Sequence, residues 1–247
     1  MKKLFLITVL LFSAPIFANS GGHFEPAGTN IRSKESLRNG AKYFMNYCSG
    51  CHSLKYQRYN RMAKDLGLTK AEVEENLIFT DVKFTDYMTK TMDDEQVKSK
   101  EWFAKAFPKD LTLIAKSRGI DWLSAYLKGF YADENRPIGW NNTVLVGASM
   151  PNVLWELQGI QKANFATHTD ENGIEHHEFK GFDKMTEGKM SEAEFDETVR
   201  DIVNFLDYTA EPARLIRTAM APWVLLFLVV FTFLAYLLKR NYFKDVH

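Results

Sequence analysis

Cysteine is nearly absent from this chain: 247 residues contain two, Cys48 and Cys51, both within the stretch NYCSGCHSLKY. Without a third thiol neither can close a bridge to a distant segment, and a four-cysteine zinc site is out of reach. Net charge is absent too, because 31 Lys and Arg balance 31 Asp and Glu, so nothing resembles a nucleic-acid footprint. Internal repeats and low-complexity tracts are missing. One uncharged run near the C-terminus is long enough to cross a bilayer.

The two ends are apolar in different ways. The chain opens MKKLFLITVLLFSAPIFANSGG, with Lys2 and Lys3, an apolar run from Leu4 to about Phe12 and small residues near Ala18, the layout of a secretory signal peptide. Its apolar core is short for a span, so cleavage after Ala18 is expected rather than an uncleaved anchor. At the other end residues 218–238, between Arg217 and Lys239, carry no charge. As a helix they reach about 31 Å, one hydrocarbon thickness. Trp223 and Tyr236 lie near its two ends, and Lys239, Arg240 and Lys244 follow it, which places the tail inside. A buried core helix is the alternative. The expected organisation is a signal peptide over 1–18, an exported domain over 19–217, a transmembrane anchor over 218–238 and a tail over 239–247.

Charge is uneven within the exported part. Residues 19–151 hold 19 basic and 16 acidic side chains, whereas residues 152–211 hold 5 basic and 14 acidic. The acidic half reads either as a solvated face or as a docking surface for a basic partner. Periodicity predicts a mainly helical domain with long loops. Ser33 caps a stripe of Leu37, Ala41, Phe44 and Met45 that runs straight into the cysteines. Thr69 with Glu72, and Ser191 with Glu194, form capping boxes, the second opening a helix with Phe195, Val199, Ile202, Val203 and Leu206 on one face. Residues 111–131 carry a helical stripe interrupted near Gly119. Residues 81–105 read as mostly loop with a short helix, and NRPIGWNN as turn. Asn172-Gly173 predicts one small β-hairpin with a two-residue turn.

Three chemistries compete for Cys48, Cys51 and His52. C-x-x-C is the spacing of thiol oxidoreductases, but those set the motif at the start of a helix, and here it follows one. A zinc site lacks ligands. C-x-x-C-H is the recognised signal for covalent haem attachment, each thiol adding across one vinyl group and the histidine serving as an iron ligand. It also explains the shortage of cysteine, since a spare exported thiol would compete in disulfide formation. A sixth ligand is then sought among nine methionines. Met45 and Met62 lie too near the motif, and Met88, Met92 and Met185 sit in charged surroundings that suit the surface. Met150, in GASMPN, has small neighbours for close approach to a flat cofactor and Pro151 to stiffen the turn, although a core-filling role also fits. His168 and His177 would face each other across the predicted hairpin, as a metal pair or as a solvated strand surface.

These segments resemble cytochrome c1, the haem subunit of the ubiquinol:cytochrome c oxidoreductase (cytochrome bc1) complex. The resemblance runs through SLRNGAKYFMNYCSGCHSLKYQRYNRM, PKDLTLIAKSRGIDWLSAYLKGFY, NRPIGWNN, MPNVLWELQG and FLDYTAEPA. It implies a cytochrome c-like fold holding one haem c through Cys48 and Cys51, axial ligation by His52 and Met150, and Arg118 near the haem propionates. It further implies electron transfer from a Rieske iron-sulfur protein to a cytochrome c, with cytochrome b as membrane partner. The setting would be a dimeric complex in a bacterial inner membrane, with the haem domain on the periplasmic side. The chain alone would be an electron carrier with no substrate chemistry of its own. Relatives commonly show two prolines before Asp-Leu-Ser where this chain has Pro108, Lys109, Asp110, Leu111 and Thr112, so the crevice wall there is expected to differ. A tethered monohaem cytochrome serving another oxidase or reductase, or a haem-free thiol-disulfide protein, are the rival readings.

Overall fold

A computed structural model describes residues 24–93, 95, 107–169 and 175–244. The expected signal peptide, residues 94 and 96–105 of the segment expected to hold a short helix, and the Asn172-Gly173 turn lie outside those residues. In chain order the elements are α1 (Lys34–Tyr47), β1 (Leu54–Arg58), α2 (Tyr59–Leu66), α3 (Lys70–Asn76), β2 (Tyr87–Met88), α4 (Ile114–Arg118) and α5 (Ile120–Lys128). They continue with β3 (Phe130–Ala132), β4 (Trp140–Asn142), α6 (Trp155–Gln158), β5 (Gln161–Thr169), β6 (Glu175–Lys184), α7 (Glu192–Ala210) and α8 (Arg214–Tyr242).

The frame is the crossing of α1 and α7. Ser33 caps α1, its hydroxyl accepting from the Ser36 amide at 3.3 Å. The helix turns Leu37, Gly40, Ala41, Phe44 and Met45 inward. Opposite, α7 opens with the expected Ser191–Glu194 capping box and buries Phe195, Val199, Ile202, Val203 and Leu206. Glycine at 40 is a requirement of this crossing, since a Cβ there would stand 2.0 Å from the Asp201 carbonyl oxygen. Close approach lets the Phe44 and Phe205 rings meet at 5.7 Å. Both are 1% exposed or less, and side chains of that kind contribute about 1.5–3 kcal/mol each by leaving water. Donors in the seam are paired: Ser36 donates to Asp201 at 2.5 Å, and Asn204 donates to Ser36 at 2.8 Å and to the Asn30 carbonyl at 3.0 Å, while Asn204 Oδ1 is buried without a partner among the described residues.

Thr69 and Glu72 form the expected capping box of α3, and the interruption near Gly119 separates α4 from α5. Gly119 has φ +89, a conformation costly for any other residue. Three two-stranded antiparallel sheets appear among the described residues where one hairpin is expected. β1–β2 and β3–β4 are too short for alternation to register. In the long hairpin β5–β6 the pairing is His168 with His176 and Thr167 with His177, so His168 does not face His177. The register shifts by one residue between Asn164 and Phe165, which changes the cross-strand partner of every residue from Phe165 to Thr169.

α8 is 29 residues long and apolar, four residues longer at each end than the uncharged run, and its apolar window is wholly unburied. It is the one helix among the described residues long and apolar enough to cross a membrane. Its first turn is tied to the domain by ion pairs of Arg214 with Asp207 and of Arg217 with Glu211, while Lys116 of α4 also reaches Glu211.

Candidate functional site

The C-terminus of α1 shapes the CSGCH turn. Cys48 is its capping residue, and the Cys48 carbonyl accepts from the amides of Cys51 at 3.1 Å and His52 at 2.9 Å. Two amides on one carbonyl wind the pentapeptide tightly, which brings Cys48, Cys51 and His52 to one cavity. Residues 90–92 cover the outside of the turn, Thr91 donating to the Ser49 carbonyl and Met92 to the Gly50 carbonyl.

Burial pushes the Cys48 thiol up to about 12 and raises Cys51 as well. The thiols also stand at the C-terminal, negative end of a helix dipole. A redox-active pair needs the opposite environment, one that favours thiolate, so the oxidoreductase reading has no support here.

His52 is oriented by main chain. Its Nδ1 lies 2.7 Å from the Lys109 carbonyl oxygen, which can only accept, so the proton sits on Nδ1 and the lone pair on Nε2. Desolvation holds the imidazole below its ordinary range, against smaller opposing effects of the Lys109 bond and Asp110, and the neutral ring is the metal-binding form. The Lys109 segment is itself pinned. Leu111 donates to the Ser53 carbonyl at 2.9 Å, Lys55 donates its amide to Asp110 at 2.8 Å, and Tyr56 donates to the Thr112 hydroxyl at 3.4 Å.

The cavity these residues face has a volume of about 530 Å³, within the usual range for cofactor sites. α4 and α5 contribute Ile114, Arg118, Trp122, Leu123 and Tyr126; the loop before α6 contributes Ser149, Met150 and Pro151; α7 contributes Ile202 and Leu206. All five residues singled out in the sequence, Cys48, Cys51, His52, Arg118 and Met150, therefore line one space. The Arg118 guanidinium stands 5.1 Å from the Trp122 ring centroid, and Trp122 stacks on Tyr126 at 4.9 Å. Tyr126 donates its hydroxyl to Met150 Sδ at 3.6 Å, and burial pushes that phenol up to about 12, which keeps the proton in place. The donor set suits haem c: two thiols and an imidazole on one wall, a thioether on another, an apolar lining, and two cations, Lys109 and Arg118, for anionic substituents.

Other expectations fare differently. Met88 is 2% exposed and sits in the core, and Met92 lines the cavity, whereas the charged surroundings of both suggested the surface. Met185 is exposed as expected. His168 does not line the cavity, and among the described residues no group of three or more His, Cys, Asp or Glu gathers to hold a metal ion. Among the described residues, no carboxylate of the acidic region 152–211 lines the cavity. Much of it is engaged in pairs such as Glu156–Lys189 at 2.5 Å and Glu197–Arg200 at 2.8 Å, or in the Glu194 cap. Sequence reasoning missed the Lys109 carbonyl, which leaves no side-chain signal, and treated Tyr126 only as part of a helical stripe.

A helical frame, a CSGCH turn opening on an apolar cavity, and one helix fit to cross a membrane define a cytochrome c-type domain with an anchor. Residues 29–246 match the Cytochrome C1 family, and the chain belongs to that family. It is 47% identical to cytochrome c1 of Allochromatium vinosum over the full length of both chains. It is also 36% identical to the ammonia monooxygenase gamma subunit of Nitrosomonas europaea, across all of this chain and 99% of that one. A third relative, cytochrome b/c1 of Bradyrhizobium diazoefficiens, is 22% identical and matches 86% of this chain with 33% of its own length. Membership makes the chain an electron-transfer haem subunit of an oxidoreductase.

Proposed function

We propose that the chain carries one covalent haem c and relays electrons from a Rieske iron-sulfur protein to a cytochrome c on the periplasmic side of a bacterial inner membrane. It does so as the cytochrome c1 subunit of a dimeric ubiquinol:cytochrome c oxidoreductase. The observation that carries this reading is the meeting of Cys48, Cys51, His52, Met150 and Arg118 on one cavity from segments up to a hundred residues apart. When bound, the haem supplies reversible one-electron chemistry.

The chain supplies the rest. Cys48 and Cys51 would hold the haem through thioether links. His52, with its proton fixed on Nδ1 by the Lys109 carbonyl, would offer Nε2 as an iron ligand. Met150 offers a thioether, a ligand that raises reduction potential, and the apolar lining keeps water from the site. Arg118 balances propionate charge. The N-terminal signal exports the domain and α8 holds it at the membrane, beside cytochrome b; the relative whose name joins b and c1 in one protein supports that partner.

The test is a pyridine haemochrome spectrum and a pull-down on solubilised membranes. A c-type band, with cytochrome b and a Rieske protein in the same particle, is expected. Absence of the band ends the haem reading, while a band without those partners favours a free-standing tethered cytochrome. Reduction of a basic cytochrome c should slow as salt rises if the acidic half draws the acceptor in, and salt-independent rates argue against that role.

A further inference from the structure

We propose that Asn141, Asn142 and Arg136 form a clamp that fixes the loop carrying Met150 and thereby sets where its thioether stands in the cavity. The inference rests on the reading of Met150 as an iron ligand and extends it to three positioning residues that do not line the cavity.

The loop after β4 lacks regular structure up to α6, so its amides need partners from elsewhere. Two carboxamide oxygens serve three of them. Asn142 Oδ1 accepts from Val144 at 2.8 Å and Leu145 at 3.1 Å; Asn141 Oδ1 accepts from Gly147 at 2.8 Å and from the Asn142 amide at 2.9 Å. The other ends of the carboxamides are anchored to the scaffold. Asn141 Nδ2 donates to Asp133 at 2.8 Å, and Asn142 Nδ2 donates to the Tyr126 carbonyl at 2.8 Å. Arg136 Nη2 then donates to the Gly147 carbonyl at 2.9 Å, so the peptide groups on both sides of Gly147 are held three residues before Met150.

Gly147 has φ +80, a conformation the clamp must hold against the freedom of glycine. Tyr126 closes the circuit, its carbonyl anchoring the root of the loop and its hydroxyl donating to the Met150 sulfur. Asn142 is 0% exposed and Asn141 7%, so water cannot substitute for these bonds. The geometry demands a group that accepts on one side and donates on the other. Aspartate at 142 would turn an acceptor toward the Tyr126 carbonyl, and an apolar residue would orphan two loop amides. Arg136 keeps its Gly147 contact although its Nε is buried without a partner, a cost that a solvated surface arginine does not bear.

Full-length, haem-loaded Asn142→Asp and Arg136→Gln proteins test this, with Met150→Leu as reference. The readouts are imidazole affinity for the oxidised protein, the weak methionine-to-iron absorption band, and the chemical denaturation midpoint. Loss of a buried hydrogen bond should raise imidazole affinity roughly tenfold in Asn142→Asp, with a smaller rise in Arg136→Gln and a weakened band in both. A shifted denaturation midpoint with wild-type imidazole affinity and band would mean that the residues only stabilise the fold, and overturns the proposal. Should Asn142→Asp fail to accumulate, the partly exposed Arg136→Gln decides alone by the same criterion. If Met150→Leu itself leaves band and affinity unchanged, the ligand reading falls and the clamp with it; if only the clamp variants behave as wild type, the clamp alone falls.

Discussion

Two walls of the cavity are built by opposite strategies. The wall of Cys48, Cys51 and His52 comes from five consecutive residues wound on one carbonyl at the end of α1, a helix locked to α7 by direct packing. Met150 comes from a loop with little regular structure, and side chains from three other segments hold that loop in shape. A covalent cofactor needs its anchors close in sequence and rigid by local geometry. A replaceable sixth ligand can be placed from far away, and its position can then be adjusted without touching the anchors.

Breaking the first wall should be all or none. Replacing both thiols, Cys48→Ala together with Cys51→Ala, is expected to abolish covalently retained haem on a denaturing gel, while Met150→Leu leaves it in place; equal retention in both would erase the distinction between the walls. On the second wall, Met150→Leu should lower the midpoint potential by at least about 100 mV, a modest part of the roughly 0.8 V that axial ligands span. An unchanged potential in a redox titration would mean another sixth ligand. Gly40→Ala attacks the frame behind the first wall. With a backbone oxygen in the way, it should cost about 3 kcal/mol, or roughly 6–12 °C in thermal melting, without shifting the potential of the surviving folded protein. Tyr126→Phe removes only a weak bond to sulfur and should raise imidazole affinity about twofold; a tenfold rise would make the phenol, and not the asparagines, the principal support of Met150.

Much of the first wall was legible in advance because its information is local. CSGCH names its chemistry by spacing, Ser33 and the stripe ending in Phe44 and Met45 announce the helix that presents it, and Ser191 with Glu194 announces α7. The place of Met150 in the cavity lining agrees with what its small neighbours and Pro151 suggested. The support behind it was not legible, since the two asparagines of NRPIGWNN read as turn formers and in fact end a three-residue strand, with their carboxamides turned into the loop. The hairpin was visible but its register was not, because the pairing shifts by one residue between Asn164 and Phe165. Met92 lines the cavity through main-chain pairing of residues 91 and 92 with the CSGCH turn, a contact with no pattern to read.

The bond that orients His52 ends on the main chain of Lys109. Every amino acid brings the same carbonyl, proline included, so this position is free to drift without loss of the histidine's tautomer. Thr112 is used through its hydroxyl, which serine also carries. At both positions the site thus draws on atoms that other residues also carry. The Lys109 side chain, which that bond does not use, places a cation at the cavity wall, so the charge there can change while the orientation of His52 stays as it is.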